Sequence, residues 1–243
     1  MIPLLCPAYL PNVEYLAWLL KQDSVAFSGE TPYQKQTFRN RSVIYGANGK
    51  LKLIIPVRHT EKNIKCLDQD IEIAYDMDWQ NQHWRSICSS YRSSPYFQFY
   101  EDEIKPFYQE KKDNLFMFNL ALLDKIMILL EECFEYEIVS FEKDIFKQSD
   151  SLITPKIKSK TQFNKYTQVF TSKHGFIPNL SILDVLFNLG PNSSNYLKNI
   201  SFLKNLSRLV LFNLNYYCIF IIRSFPFNLN YNFLYYNSDF LNF

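Results

Sequence analysis

At Asp78 the apolar period of this chain changes from two residues to about 3.6, and that switch constrains the fold more than any other feature. Before it, Val43 and Tyr45 alternate with polar neighbours, Gly46-Ala47-Asn48-Gly49 supplies a turn, and Leu51, Leu53, Ile55 and Val57 share one side. That pattern is a β-hairpin. After it, Trp84, Ile87, Cys88 and Tyr91 recur at helical spacing, with Asp78 placed to cap the helix and Arg85 and Arg92 on another face. Phe97, Tyr100, Ile104 and Phe107 repeat the pattern in a second helix, which Pro106 must kink or end. Sheet signals followed by helical ones predict a mixed α/β (α+β) chain. A short N-terminal strand-helix unit and a β-hairpin sheet come first, then a mostly helical half.

The flanking segments fill in this frame. Leu4 to Cys6 reads as a first strand, Asn12 as the N-cap of a helix from Val13 to about Lys21, and Val25 to Phe27 as a second strand. Glu14 suits the first turn of that helix, and Leu16, Leu19 and Leu20 make its apolar stripe. Ile71 to Ala74 is expected to be another strand. Leu115 to Leu130 is apolar nearly all round, which predicts a buried helix despite Asn119 and Asp124. Tyr136 to Phe141 returns to a strand pattern. Ser181 and Asp184 form a capping box for a last helix, with Leu183, Leu186 and Phe187 as its stripe and Gly190-Pro191 as its stop. Between these lies a polar, basic connection, residues 150–168, carrying Lys156, Lys158, Lys160 and Lys165. It reads as a solvated linker or as a loop that closes over a ligand.

Composition excludes several classes. The net charge of +2 is confined to the segment after Ile200, where Lys204, Arg208 and Arg223 face Asp239, so the body before it is neutral and lacks the basic stripe of a nucleic-acid binder. Cys6, Cys66, Cys88, Cys133 and Cys218 are odd in number and widely spaced, which fits neither a disulfide framework nor a zinc pattern. A cytoplasmic setting is expected. The first residues have no basic region and no long apolar core, so they do not read as a signal peptide. The apolar run from Leu209 to Ile222 is interrupted by Asn213 and Asn215 and is shorter than a bilayer span. Two parts are therefore expected: a domain over 1–198 and an Asn/Phe/Leu/Tyr-rich tail over 199–243. No helical or strand period persists in that tail, and it reads as an aberrant or disordered product of a frameshift or read-through. The competing account is a sticky membrane-surface or partner-binding segment.

The chemistry concentrates in residues 33–41. Read as an extended strand, Lys35, Thr37, Arg39 and Arg41 share one face, and Gln34, Gln36, Phe38 and Asn40 the other. Three cations in a row repel one another unless an anion or acidic side chains sit opposite, which points to a phosphate or carboxylate site. Its alternative is a solvated edge strand whose charges deter aggregation. Phosphate would be held by these side chains or by the helix start after Pro11, because 5 glycines do not build a phosphate cradle. Tyr9 and Tyr15 lie near that helix start and are further ligand candidates. Among the 3 histidines, His83 is the candidate general base, His174 with Lys173 beside Gly175 could approach an anion, and His59 is assigned nothing. Each has a plain alternative, a packing histidine or a turn. No Walker loop, nucleophile elbow or dinucleotide glycine pattern is present, and His and Cys do not cluster at metal-ligand spacing. Glu101-Asp102-Glu103 and Glu131-Glu132 read as solvated helix faces. Tyr91, Tyr96, Phe97, Phe99 and Tyr100 crowd one helix junction, where core packing explains them as well as a sugar site does.

An ordered series of these segments resembles the WbqC-like family. The series runs through Pro7-Ala8-Tyr9-Leu10-Pro11 with Glu14-Tyr15, the 33–41 segment, Asn48-Gly49 and Leu53 to Val57. It continues with Trp79, His83-Trp84-Arg85, Ser90-Tyr91, Ser94 to Phe97 with Tyr100, and Lys173 to Asp184. The resemblance covers roughly residues 3–198 and implies a bacterial, cytoplasmic protein associated with O-antigen or other surface-polysaccharide gene clusters. The expected activity is group transfer from an anionic activated donor, a nucleotide sugar or an acyl donor. A non-catalytic binding or scaffold module of the same pathway is the alternative. On the enzyme reading Lys35, Arg39 and Arg41 clamp the anion, Asn40 and Gln34 orient the ligand, and His83 is the base. The cofactor is left open by the resemblance. Other enzymes of the pathway are possible partners.

Overall fold

Two short runs, Leu4–Leu5 (β1) and Val25–Phe27 (β2), contain no polar residue, as expected of parallel strands covered on both faces. In the computed structural model, which describes residues 2–58, 66–140, 150–157, 159 and 161–202, every residue of both strands is buried. β1 and β2 pair in parallel, Leu4 beside Ala26 and Leu5 beside Phe27. Parallel neighbours need a crossover, and helix α1 (Val13–Leu19) provides it. Asn12 caps α1 as its side chain predicts, accepting the Tyr15 amide at 2.8 Å. The residues before the next strand, 33–40, form turns rather than an extended run. Gln36 has φ +65°, a left-handed value that breaks the two-residue alternation, so Lys35 and Arg39 do not share a face. Lys35 is exposed and Arg39 is buried.

The hairpin forms as read. β3 (Arg41–Gly46) and β4 (Gly49–Ile54) pair antiparallel through Gly46 and Gly49, leaving Ala47-Asn48 as the turn, with Gly49 at φ +98°. Leu53 and Ile55 are buried, while Leu51 is exposed. Ile71 to Ala74 makes only isolated bridges, Ile73 to Val57 and Glu72 to Asn114, rather than a strand.

The helical half follows. α2 (Trp79–Tyr91) turns Trp79, Gln80, His83, Ile87 and Tyr91 inward, so His83 occupies the buried face and Trp84 its flank. Asp78 precedes it but spends its carboxylate on the Asn81 side chain, not on a backbone amide. α3 (Phe97–Ile104) ends in a tight turn at Pro106. α4 (Leu115–Leu129) is capped by Asn114 and is not buried all round: Met117 and Ile128 are exposed. β5 (Tyr136–Ile138) completes the parallel sheet beside β2, giving the order β1-β2-β5. The remaining helices are α5 (Asp150–Ile153), α6 (Thr171–His174), α7 (Ile182–Leu189) and α8 (Ser193–Lys198). Residues 2–201 belong to one unit. His59, Lys158, Lys160 and nearly all of the expected tail lie outside the described residues.

The stop of α7 depends on Gly190. Its φ is +54°, and a Cβ there would lie 2.5 Å from the Tyr96 ring, whose backbone amide is tied to Phe187 O at 3.0 Å. Gly190→Ala is expected to cost about 3 kcal/mol from left-handed strain and overpacking together. A urea midpoint unchanged from wild type would contradict that account.

Candidate functional site

Ligands of open α/β sheets bind outside the carboxyl ends of the strands. Here β1 runs into Cys6 and Pro7, and β2 into the loop Ser28 to Tyr33. That loop lies against the segment 66–69: Tyr33 N bonds Cys66 O, Asp68 N bonds Thr31 O and Gln69 N bonds Gly29 O, all at 2.8–2.9 Å. Gly29 is needed for this approach, because a Cβ would meet Gln69 Cβ at 2.7 Å. The pairing delivers Asp68 to the strand ends.

There Asp68 meets Arg39. Arg39 Nε donates to Asp68 Oδ2 at 2.9 Å, and both side chains are at least 96% buried. Thr31 Oγ1 donates to the same oxygen at 2.6 Å. The Arg39 guanidinium also reaches Cys6 Sγ at 3.0 Å and Thr37 Oγ1 at 3.4 Å. Beside this pair stands Asn119 from α4, whose Nδ2 donates to Pro7 O at 3.2 Å and Arg39 O at 2.7 Å. Both neighbours of that nitrogen are carbonyls, which fixes the amide orientation and turns Oδ1 away from them. A small recess opens between Pro7, Tyr33, Arg39, Asp68 and Asn119, walled by Leu115 and Phe116. Burial raises the Tyr33 pKa, with Arg39 and Arg41 lowering it and Asp68 raising it further.

The structure distributes the other predicted residues differently. Gln34 and Lys35 are exposed on the turns that lead to Arg39. Arg41 is half-buried, and its Nε has no acceptor among the described residues. Asn40 is buried and donates to Ile55 O at 2.9 Å, which fastens the loop to the end of β4. Tyr15 donates to Cys6 O at 2.9 Å and is fully enclosed. The start of α1, expected to be open to phosphate, is closed by the protein itself. Val13 N bonds Leu180 O, Glu14 N bonds Asn179 Oδ1, and Tyr15 N bonds Asn12 Oδ1. Glu14 adds a negative charge there, so that anion site is not present.

His83 sits in a hydrogen-bonded chain. The Ile54 amide donates to Nε2 at 3.2 Å, so the proton is on Nδ1, which donates to Tyr9 Oη at 2.9 Å; Tyr9 then donates to Tyr108 Oη at 2.9 Å. Burial lowers the His83 pKa to about 4. The ring is neutral at pH 7, and both of its nitrogens are engaged by protein groups. His174 is exposed at the far end of the hairpin, where Nε2 donates to Ala47 O at 2.9 Å, and Lys173 beside it is exposed too. Of the predicted site residues the recess includes Arg39, and it does not include Lys35, Arg41, His83, His174 or Lys173.

Asp184 is the other buried acid. Instead of completing a capping box it points inward and accepts from Tyr166 Oη and Gln168 Nε2. Gln168 also holds both backbone groups of Ile177, so Asp184 clamps residues 166–177 onto α7. Burial pushes its pKa up to about 6 against the hydrogen bonds from Tyr166, Gln168 and Tyr91.

Residues 6–154 and 140–196 match the sequence model of the WbqC-like protein family. The chain belongs to that family. The recess of this WbqC-like protein lies wholly inside the first matched segment. The chain is also similar to the uncharacterized protein Rv1507c of Mycobacterium tuberculosis, 24% identical over 224 residues that cover 76% of this chain and 94% of that protein. No solved structure matches. Asp68, Tyr33, Cys6 and Thr31 escaped the sequence reading. Asn119 alone carried a signal, as a polar residue on the otherwise apolar stretch of α4.

Proposed function

We propose that this WbqC-like protein is a group-transfer enzyme of bacterial surface-polysaccharide (O-antigen-like) biosynthesis, acting in the cytoplasm on an anionic activated sugar or acyl donor. The observation that supports this reading is the buried Arg39–Asp68 pair set at the carboxyl ends of a parallel sheet, with Arg41 two residues further along the chain and its Nε without an acceptor among the described residues. Burying two charges costs several kcal/mol per ion before their attraction is counted, so apolar residues would stabilise this position as well. The pair makes better sense as the fixed floor of a ligand site. In this reading Arg39 is already committed to Asp68, and the anion of the donor is met by Arg41 and by Lys35, with Gln34 as a further hydrogen-bonding group on the loop. Asn40 and Tyr15 hold the loop and Cys6 in place. His83 acts through Tyr9 as a positioning group, and His174 and Lys173 serve a more distant part of the ligand.

A non-catalytic binding module of the same pathway is the second reading. Its support is that both nitrogens of His83 are spent on protein groups, leaving the recess without an imidazole base. Mass spectrometry of small molecules retained by the purified protein tests the first reading. The expected result is a nucleotide sugar or acyl carrier, retained at least tenfold less by Arg41→Ala, which leaves no buried partner unpaired. A neutral ligand, or one retained equally by the variant, would sink the anion assignment. Retention without turnover of that compound in the presence of pathway acceptors would favour the module.

A further inference from the structure

The register of the hairpin decides which backbone groups point away from it. The Ile55 amide donates to Asn40 O at 2.9 Å, so these two form a hydrogen-bonded pair. In an antiparallel ladder such pairs alternate with pairs whose amides and carbonyls point outward. The outward pairs are therefore Arg41–Ile54, Val43–Lys52 and Tyr45–Lys50. Contacts on both flanks agree. On the β3 flank Ser181 N donates to Val43 O, and Tyr45 N donates to Tyr91 Oη. On the β4 flank the Ile54 amide donates to His83 Nε2. Lys50 and Lys52 point the same way as Ile54, and their amides and carbonyls have no bond on that side among the described residues.

The parallel sheet has an edge of the same kind. Ala26 N bonds Pro3 O on the β1 side, and Val139 N bonds Phe27 O on the β5 side. Val139 and Glu137 thus turn their backbone toward β2, while Tyr136 and Ile138 turn theirs outward. No outward bond is made by either among the described residues.

Charge makes these two edges complementary. From Thr31 to Thr60 the chain has six cations and no acid. Arg39 and Arg58 are spent on Asp68 and Glu72, whereas Lys50 and Lys52 are exposed and have no ion pair among the described residues. Glu135 and Glu137 are exposed and likewise without an ion pair among them. Apolar side chains stand beside both edges in water: Leu51 is 38% exposed, Ile54 43% and Ile138 58%. Lysines on an edge ordinarily deter strand addition. Here they repel a second copy of β4, because lysine would face lysine, and they admit an acidic strand.

We propose that the β4 edge of one copy of this chain pairs in parallel with the β5 edge of a second copy. In a parallel ladder an outward-pointing residue bonds the two neighbours of the residue opposite it. Lys52 set opposite Glu137 then bonds Tyr136 and Ile138, the residues whose groups point outward. Lys50 falls opposite Glu135, and its carbonyl accepts from the Tyr136 amide. Leu51 meets Tyr136. The contact is head to tail, so it adds copies in a row rather than closing a dimer. Its few bonds and exposed ion pairs make it weak and salt-sensitive.

Sedimentation of the full chain at low and high salt, with charge-swapped variants, provides the test. Wild type is expected to gain mass with concentration at low salt and to lose it at high salt. Lys50→Glu with Lys52→Glu should associate at least about tenfold more weakly alone, and so should Glu135→Lys with Glu137→Lys, since each sets like charges opposite one another. Mixed in equal amounts, the two should regain association, which also shows that both are folded. Lys52→Pro removes an outward amide and leaves the bonds to β3 in place, so it should weaken association too. A wild type that stays monomeric at low salt would overturn the proposal, as would a mixture no heavier than its components. Association that depends on salt but is untouched by Lys52→Pro would rule out strand pairing. A monomeric chain whose Lys50 and Lys52 amides are protected from exchange by a Glu-Val-Glu peptide would assign the edge to a different protein.

Discussion

Arg39→Ala is expected to lose about 3–5 kcal/mol of folding stability, because it strands Asp68 as a buried charge with only the Thr31 hydroxyl on Oδ2. Set against a typical total of about 5–15 kcal/mol, that loss leaves the domain marginal near body temperature. Removing both partners should behave differently. Arg39→Leu with Asp68→Leu takes away the desolvation cost together with the attraction, so most of the lost stability is expected to return. The readout is a urea-unfolding midpoint for the two single variants and the double. Single variants within about 0.5 kcal/mol of wild type, the range of an ordinary surface change, would mean that the pair is solvated.

Between pH 4 and 6.5 two buried groups are expected to pull stability in opposite directions and nearly cancel. His83 falls from its ordinary 6.5 to about 4, so across that range the unfolded chain binds its proton and the folded protein does not. That makes stability rise with pH, and the advantage disappears as pH falls through about 4. Asp184 rises from 3.8 to about 6, so here the folded protein holds the extra proton and stability falls as pH rises. Each shift is worth about 3 kcal/mol at 1.36 kcal/mol per unit. His83→Gln should therefore unmask the acid and lose about 3 kcal/mol, relative to wild type, between pH 4 and 6.5. Asp184→Asn, whose amide oxygen can still accept from Tyr166 and Gln168, should unmask the imidazole and lose a similar amount on acidification. Unfolding free energies at four or five pH values check both. Parallel profiles for wild type and both variants would refute the opposition.

Features governed by neighbours in the chain were legible in the sequence. The hairpin followed from alternation and two glycines, the Asn12 cap from a side chain that can reach the Tyr15 amide, and β2 from three apolar residues in a row. The misreadings have tertiary causes. Residues 33–41 have the composition of a strand, yet the Phe38 backbone is claimed by Tyr9 N and Ile153 O, and Gln36 turns left-handed to permit it. The Asp184 carboxylate had a capping role within reach and took a buried one, because Tyr166 and Gln168 arrive from another segment. The candidate site shows the same division. Arg39 and Arg41 stood out as cations in a polar run, whereas Asp68, in a loop with no pattern, acquires its meaning only from the pairing of 28–33 with 66–69.

The strand that closes the parallel sheet comes from the second half of the chain, with Val25 lying beside Tyr136. On a ribosome, β2 therefore emerges long before its outer neighbour exists, and its buried Val25-Ala26-Phe27 edge waits unpaired through the synthesis of the hairpin and three helices. Such sequence-distant contacts slow folding, because loop closure is paid for before any ladder bond rewards it. The Arg39–Asp68 recess, which stands on the ends of β1 and β2, is thus among the last parts of the nascent protein to become firm.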